Sequence, residues 1–212
     1  MTQNYPTQHS IDEVMVTQKP RLLLHACCAP CSSSVVERLQ QEFELTLFYY
    51  NPNIYPQSEY QIRCDEIIHW CERIELPLVV SEYDPQVWHQ YVRGYEQEPE
   101  RGERCTLCYR LRLAQTAHRA KQDGYDLFTT VLSISPHKDT DRINKLGDEL
   151  ADEVGVDFYQ ANFKKQGGFQ RSLEISKEQG FYRQNYCGCQ YSLAESERRK
   201  RQRSAPPCQD ND

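Results

Sequence analysis

What this 212-residue chain lacks narrows its identity first. No apolar run approaches the ~20 residues that a membrane-spanning helix needs, and the mean hydropathy is -0.81. The first stretch, 1–20, is polar, carries Asp12 and Glu13, and has no apolar segment of the secretory type, so it reads as a flexible extension on a cytoplasmic protein. Neither a G-x-G-x-x-G nor a Walker A sequence is present, which leaves a standard dinucleotide site or P-loop unsupported. Internal repeats and long low-complexity tracts are missing as well. Positive charge is in deficit: 25 Lys and Arg stand against 31 Asp and Glu, a net charge of -6, which excludes a general polyanion binder and leaves only local basic patches.

Cysteine is what the chain has in excess. Ten cysteines without an export signal point away from structural disulfides and toward metal ligation or redox chemistry. They fall into groups. Cys27 and Cys28 are adjacent, Cys105 and Cys108 are spaced C-x-x-C, and Cys187 and Cys189 form C-x-C.

The apolar pattern places these groups. Arg21 to His25 reads as a strand running into a loop and then a helix, with a serine of 32–34 expected near its N-cap. Further strands are expected at Glu44–Tyr50, Leu76–Val80, Asp126–Leu132 and Gly155–Tyr159. Helices are expected from about Gln57, over Pro85–Tyr95, from Cys105 to about Lys121, and over Thr140–Val154. This alternation predicts an α/β fold, a Rossmann-like (HUP-like) layered domain with a mostly parallel sheet. The segment from Asn162 onward reads as irregular and the end, 204–212, as a disordered tail holding a free Cys208. In such sheets ligands bind beyond the carboxyl ends of the strands. The segments holding Cys27, Asn51 and Ser133 are therefore expected along one edge.

A C-x-x-C at a helix start turns two thiolates toward one centre, and two more from another loop would complete four ligands, suiting zinc or a [4Fe-4S] cluster. Adjacent cysteines tend to diverge, which is awkward for a single zinc ion and is relaxed where two thiolates bind different irons. An iron-sulfur reading therefore ranks ahead of zinc, and zinc ahead of a metal-free thiol–disulfide system. Cys31 is a second-rank ligand. Cys64 and Cys71, on an apolar helix face, read as core. A disulfide between Cys187 and Cys189 would close a small strained ring that reduces easily, which suits electron transfer; a second metal site or plain packing beside Tyr186 and Tyr191 are the alternatives. His25 could face the site or be a satisfied structural group, and the loop containing Ser133, Ser135, His137, Lys138 and Asp139 could bind phosphate, shuttle a proton or simply form a turn.

Five motifs in order resemble one family: His25-Ala-Cys-Cys-Ala-Pro-Cys31, Tyr50-Asn-Pro-Asn-Ile-Tyr-Pro56, Cys105-Thr-Leu-Cys-Tyr-Arg-Leu-Arg112, Ser133-Ile-Ser-Pro-His-Lys-Asp139 and Tyr186-Cys-Gly-Cys-Gln190. Together they look like the cobalamin-independent epoxyqueuosine reductases, the QueH family. The likeness runs from His25 to Tyr191. It implies a single catalytic iron-sulfur domain over 21–203 that removes the epoxide oxygen of epoxyqueuosine at the tRNA wobble position, the last step of queuosine formation. It also implies a [4Fe-4S] cluster on Cys27, Cys28, Cys105 and Cys108, a redox-active pair in Cys187 and Cys189, and an additional mononuclear iron that would bring Cys31 into play. The partners implied are tRNAs for aspartate, asparagine, histidine and tyrosine carrying epoxyqueuosine in the anticodon loop, and a separate electron donor. Proton donors are sought among His25, His137 and Asp139.

Since the chain is acidic, local charge must grip the RNA. Arg110 beside the C-x-x-C and Lys164, Lys165 and Arg171 in the late segment are the first candidates, with Arg101, Arg104, Arg112 and the run Arg198–Arg203 behind them. Phe181, Tyr182 and Tyr186 are candidates for stacking on unpaired bases. Two other classes use the same cysteines differently: a zinc-stabilised RNA-binding module, and a metal-free thiol–disulfide oxidoreductase.

Overall fold

The structure is a computed structural model and describes residues 18–204. The expected extension before residue 18, the end of the chain after 204 and Cys208 lie outside the described residues. Within them the strands are β1 (Arg21–Ala26), β2 (Glu44–Tyr49), β3 (Leu78–Val80), β4 (Leu127–Thr130) and β5 (Asp157–Phe158). The helices are α1 (Ala29–Leu39), α2 (Gln57–Arg73), α3 (Pro85–Tyr91), α4 (Glu103–Gln122), α5 (Thr140–Val154), α6 (Gly168–Gln179) and α7 (Gln190–Ser204), and a single 3-10 turn covers Val131–Ile134.

The five strands form one sheet in the order β3-β2-β1-β4-β5, every pair parallel. β1 is the central strand, and its Leu22, Leu23 and Leu24 have no exposed surface, as expected of a strand covered on both faces. The chain steps outward from β1 to β3 on one side, then crosses back to lay β4 against the other side of β1. The reversal opens a crevice at the carboxyl ends of β1 and β4, where open α/β sheets bind ligands. The α/β, Rossmann-like expectation holds. Among the described residues no helix is long and apolar enough to cross a membrane.

Three local expectations are corrected. No serine caps α1: its N-cap is Cys28, in an extended conformation, with Pro30 in the first turn, while Ser32 and Ser33 turn their hydroxyls back onto the carbonyls of Cys28 and Pro30. α4 starts at Glu103, so Cys105 and Cys108 lie inside its first turns. The segment after Asn162 is not irregular but holds α6 and α7. α6 escaped the apolar pattern because two of its three buried residues are serines, Ser172 and Ser176, and it docks on α1 through polar contacts, Ser34 Oγ to the Gly168 carbonyl at 3.0 Å and Arg171 to Glu37 at 2.9 Å.

On the other side of the sheet α5 is capped by Asp139, whose carboxylate accepts from the Arg142 N–H at 3.1 Å, and ends at Gly155 in the left-handed region. It packs on the sheet through Gly147, where an added Cβ would stand 2.3 Å from the ring of Phe158. Alanine is worth about 1 kcal/mol more than glycine inside a helix. Overlap with a packed ring costs more, so Gly147→Ala is expected to lower stability by about 1–2 kcal/mol in urea denaturation. A stabilised variant would show that the ring yields freely.

Candidate functional site

β1 ends by delivering Ala26 and Cys27 into the crevice, and the extended backbone at Cys28 turns the chain into α1. Cys31 follows in the first turn. The Sγ atoms of Cys27, Cys28 and Cys31 lie within 4.8 Å of one another, those of Cys27 and Cys28 3.8 Å apart, and the Gln184 side-chain amide donates to Cys28 Sγ at 3.4 Å. Among the described residues this is the grouping tight enough to hold a single metal ion. Cys31 thus belongs with the adjacent pair.

A cavity of about 740 Å³ opens in front of these sulfurs. Cys27 and Cys31 line it from the β1 end, Ser135 to Lys138 from the segment after β4, Cys105, Tyr109 and Arg112 from α4, and Gln184 to Cys187 from the segment before α7. Cys105 accepts a hydrogen bond from the Arg101 N–H at 3.3 Å. Cys105 and Cys108 lie within electrostatic reach of Cys187 and Cys189. All the described cysteines are unbridged.

The electrostatics favour one thiolate. Donation from the Cys28 and Cys31 thiols, with help from Lys138 and Arg112, holds the Cys27 thiol well below the usual range, although burial opposes it. The Cys28 thiol is pushed up to about 12, chiefly by its role as donor to Cys27, and the Cys31 thiol is raised for the same reason. Burial takes Cys105 up to about 12 and Cys108 up to about 11, and raises Cys189. Two cations stand against these sulfurs. Arg112 is buried and donates to Asn51 Oδ1 at 2.6 Å, while Asn51 donates to the Ala26 carbonyl at 2.9 Å. Burial works against the Lys138 ammonium, but the neighbouring Cys187, Tyr109, Cys27 and Cys31 outweigh it and raise its pKa above the usual lysine value.

The C-x-C segment is clamped from α2. Arg63 is buried beside Glu59 at 2.7 Å and donates to the Cys187 carbonyl at 3.3 Å, and its guanidinium lies 5.4 Å from the Tyr186 ring centre. Gly188 has φ +137°, a region that favours glycine, and a Cβ there would meet Arg63 Nη1 at 3.2 Å. The Gly188 carbonyl accepts from Tyr55 N–H at 2.8 Å, and Ser192 bonds both the Gly188 N–H and Cys189. Sequence reasoning missed Arg63. The signal was the i,i+4 pair Glu59/Arg63 on the face of α2 that also carries Cys64 and Ile67.

The remaining candidates separate cleanly. His25 is fully buried and does not line the cavity: its Nε2–H donates to the Tyr50 carbonyl at 3.2 Å, which can only accept and so fixes the proton of the neutral ring there, and its Nδ1 accepts from the Thr130 hydroxyl at 2.8 Å. Asp139 is spent on capping α5, whereas His137 lines the cavity 3.3 Å from Arg101. Cys64 and Cys71 are buried, as core cysteines should be. Arg110 is held by Glu149 and Glu153, Arg171 by Glu37, Glu174 and Glu178, and Lys164 by the Lys138 carbonyl. Lys165 and Arg171 line a separate depression of about 410 Å³ between α1 and α6 that contains no cysteine. Tyr186 lines the main cavity, but Phe181 packs edge-on against Trp70 and Tyr182 donates to Glu59.

A Rossmann-like sheet whose switch point is lined by sulfur donors defines an α/β protein with a thiol-rich centre in the ligand crevice. The model of the family described as "Epoxyqueuosine reductase QueH" matches residues 22–195, and the chain belongs to that family of cobalamin-independent oxidoreductases. Proteins bearing the same description are 45% identical in Haemophilus influenzae, covering 83% of this chain and 73% of the relative, and 42% identical in Acinetobacter baylyi, covering 84% and 83%. In Thermotoga maritima the figure is 36%, covering 82% and 91%. A solved structure described as a predicted subunit of tRNA methyltransferase from Methanocaldococcus jannaschii shares the fold, with a TM-score of 0.50 over 74% of this chain and 76% of its own at 11% identity.

Burial of neutral His25 has a consequence for stability. Its pKa falls from 6.5 to about 3, with burial the largest cause and Arg112 next. The unfolded chain therefore takes up a proton below about 6.5 that the folded one refuses, so the stability this group contributes is present above pH 6.5 and is lost as pH falls toward 3. Wild type is expected to lose up to about 1.4 kcal/mol per pH unit through this group. His25→Gln should lack that share of the slope. Equal slopes in urea titrations across this range would show that His25 is protonated in the fold.

Proposed function

We propose that the cavity carries out the two-electron removal of the epoxide oxygen from epoxyqueuosine at the wobble position of tRNA. The observation that carries this reading is the convergence of three segments far apart in sequence, at Cys27–Cys31, Cys105 and Cys187, on one cavity walled by Arg112 and Lys138. A zinc-stabilised binding module would need neither the C-x-C pair nor a cavity beside its thiolates.

What supports a [4Fe-4S] cluster is the chemistry of the donors, which are all sulfur, with Cys27 and Cys28 adjacent and grouped with Cys31 and with cations nearby to offset the charge that several thiolates would carry, while Cys105 and Cys108 stand nearer the C-x-C pair. Cys27, Cys28, Cys105 and Cys108 would hold the cluster, and Cys31 stands beside the first pair as a ligand for an additional iron. When bound, such a centre supplies electrons singly and a Lewis-acidic iron.

The net conversion breaks both C–O bonds of the epoxide, forms one C=C bond and consumes two electrons and two protons, so the oxygen leaves as water. Oxidation of the Cys187/Cys189 dithiol to a disulfide releases that same number of electrons and protons, which a separate donor then restores. His137, at the cavity wall, presents an imidazole for proton delivery, and the Lys138 ammonium places positive charge where negative charge develops on the departing oxygen. His25 has both ring nitrogens engaged and serves the fold. The reaction belongs to the cytoplasm, where its RNA substrate resides.

The test is an anaerobic preparation analysed for iron and sulfide, then given reductant and tRNA bearing epoxyqueuosine, with nucleosides read by mass spectrometry. About four irons and four sulfides per chain and loss of one oxygen from the nucleoside are expected. Stoichiometric zinc with no reconstitution would favour the binding module, and activity in metal-free protein the thiol–disulfide oxidoreductase. Cys189→Ser should retain the iron and lose at least about tenfold in multiple-turnover rate, roughly the 1.4 kcal/mol that a tenfold change represents. Full turnover by that variant would remove the dithiol from the mechanism.

A further inference from the structure

Among the basic groups that the sequence offered, those that reach the cavity are not Arg110, Lys164, Lys165 or Arg171 but Arg101, Arg112 and members of the run Arg198–Arg203. Arg110 and Arg171 are spent on carboxylates of neighbouring helices. The last turns of α7 instead bring Arg199, Lys200 and Arg203 to the cavity, on the stripe of that helix that begins with Glu195 and Ser196. Positions 195, 196, 199, 200 and 203 repeat at helical spacing, so one face of α7 forms a wall. That wall is docked: Arg104 lies under the Tyr191 ring at 4.4 Å, and Arg199 reaches Glu100 at 3.1 Å and Glu195 at 3.8 Å. Arg101 and Arg183 complete the basic lining, and Phe169 and Tyr186 add aromatic surface. The family match ends at residue 195, so this basic wall belongs to the part of the chain beyond it.

We infer that the outer turns of α7, through Arg199, Lys200 and Arg203 on the cavity wall, grip the phosphate backbone of the RNA strand that delivers its nucleotide into the cavity. Cations beside aromatic surface at one opening suit single-stranded nucleic acid, whose phosphates need neutralising and whose bases offer ring faces. An acidic electron-carrier protein would also be drawn to positive charge, but it would gain nothing from aromatic rings set within the opening. The inference rests on the RNA-directed reading of the cavity and adds to it the surface that holds the RNA.

The experiment is fluorescence anisotropy of a labelled anticodon stem-loop RNA on the cluster-loaded, full-length protein across a potassium chloride series. Each cation removed from a single-stranded contact lowers the slope of log K against log salt by about 0.7. The double variant Lys200→Gln, Arg203→Gln should therefore bind about tenfold or more weakly at low salt and lose about 1.4 from its slope. Arg171→Gln, which lies on the separate depression and not on the cavity, should move affinity by less than about twofold. Matching thermal melts of the variants exclude misfolding as the cause.

A double variant that keeps the wild-type slope overturns the α7 assignment. So does one that binds RNA normally but loses only the turnover driven by an acidic carrier protein, with chemical reductant still effective. Wild type that shows no salt-dependent RNA binding overturns the RNA-directed reading itself, and the α7 assignment with it.

Discussion

The structure depends on one buried guanidinium that has no carboxylate partner among the described residues. Arg112 sits inside the first half of α4, 2% exposed, and leans on the neutral oxygen of Asn51. An unpaired charge in such a place costs several kcal/mol, and what answers it here is sulfur: the Cys27 thiolate is among the groups that favour its charged form. The same Asn51 ties β2 to the end of β1 through the Ala26 carbonyl. Position of the sheet, charge of the helix and ionisation of the site are therefore one coupled arrangement. Removing the anionic sulfur would leave the cation stranded.

The second anchor works from the opposite wall. The Arg63–Glu59 pair is buried in α2, and its hydrogen bond to the Cys187 carbonyl holds a segment that has no secondary structure of its own. Gly188 lets that backbone pass against the guanidinium, and Tyr182 adds its hydroxyl to Glu59. The C-x-C pair is thus fixed by contacts from elements more than a hundred residues earlier in the chain. This is how a loop can carry chemistry that requires defined geometry.

Much of this could be read from residue order. The run of leucines in β1, the Thr140–Val154 helix and the cysteine groups announced themselves through period and spacing. The roles of His25 and Asp139 did not, because a histidine at a strand end and an aspartate before a helix have the same letters whether they serve the fold or the reaction. Only the hydrogen bonds of His25 to Thr130 and Tyr50, and the cap that Asp139 places on Arg142, separate the two uses. Helix α7 was hidden because its charged residues give no apolar stripe.

The sequence by itself determined the α/β class, the grouping of the cysteines and the family, since these rest on local periodicity and on motif spacing, which survive without coordinates. Tertiary structure decided which thiols meet, bringing Cys31 to the adjacent pair and setting Cys105 and Cys187 on the same cavity. It also decided which arginines are left to face that cavity. An ion pair such as Arg171 with Glu37 joins residues 134 positions apart, and no spacing rule reaches across a fold to cancel one charge and leave another.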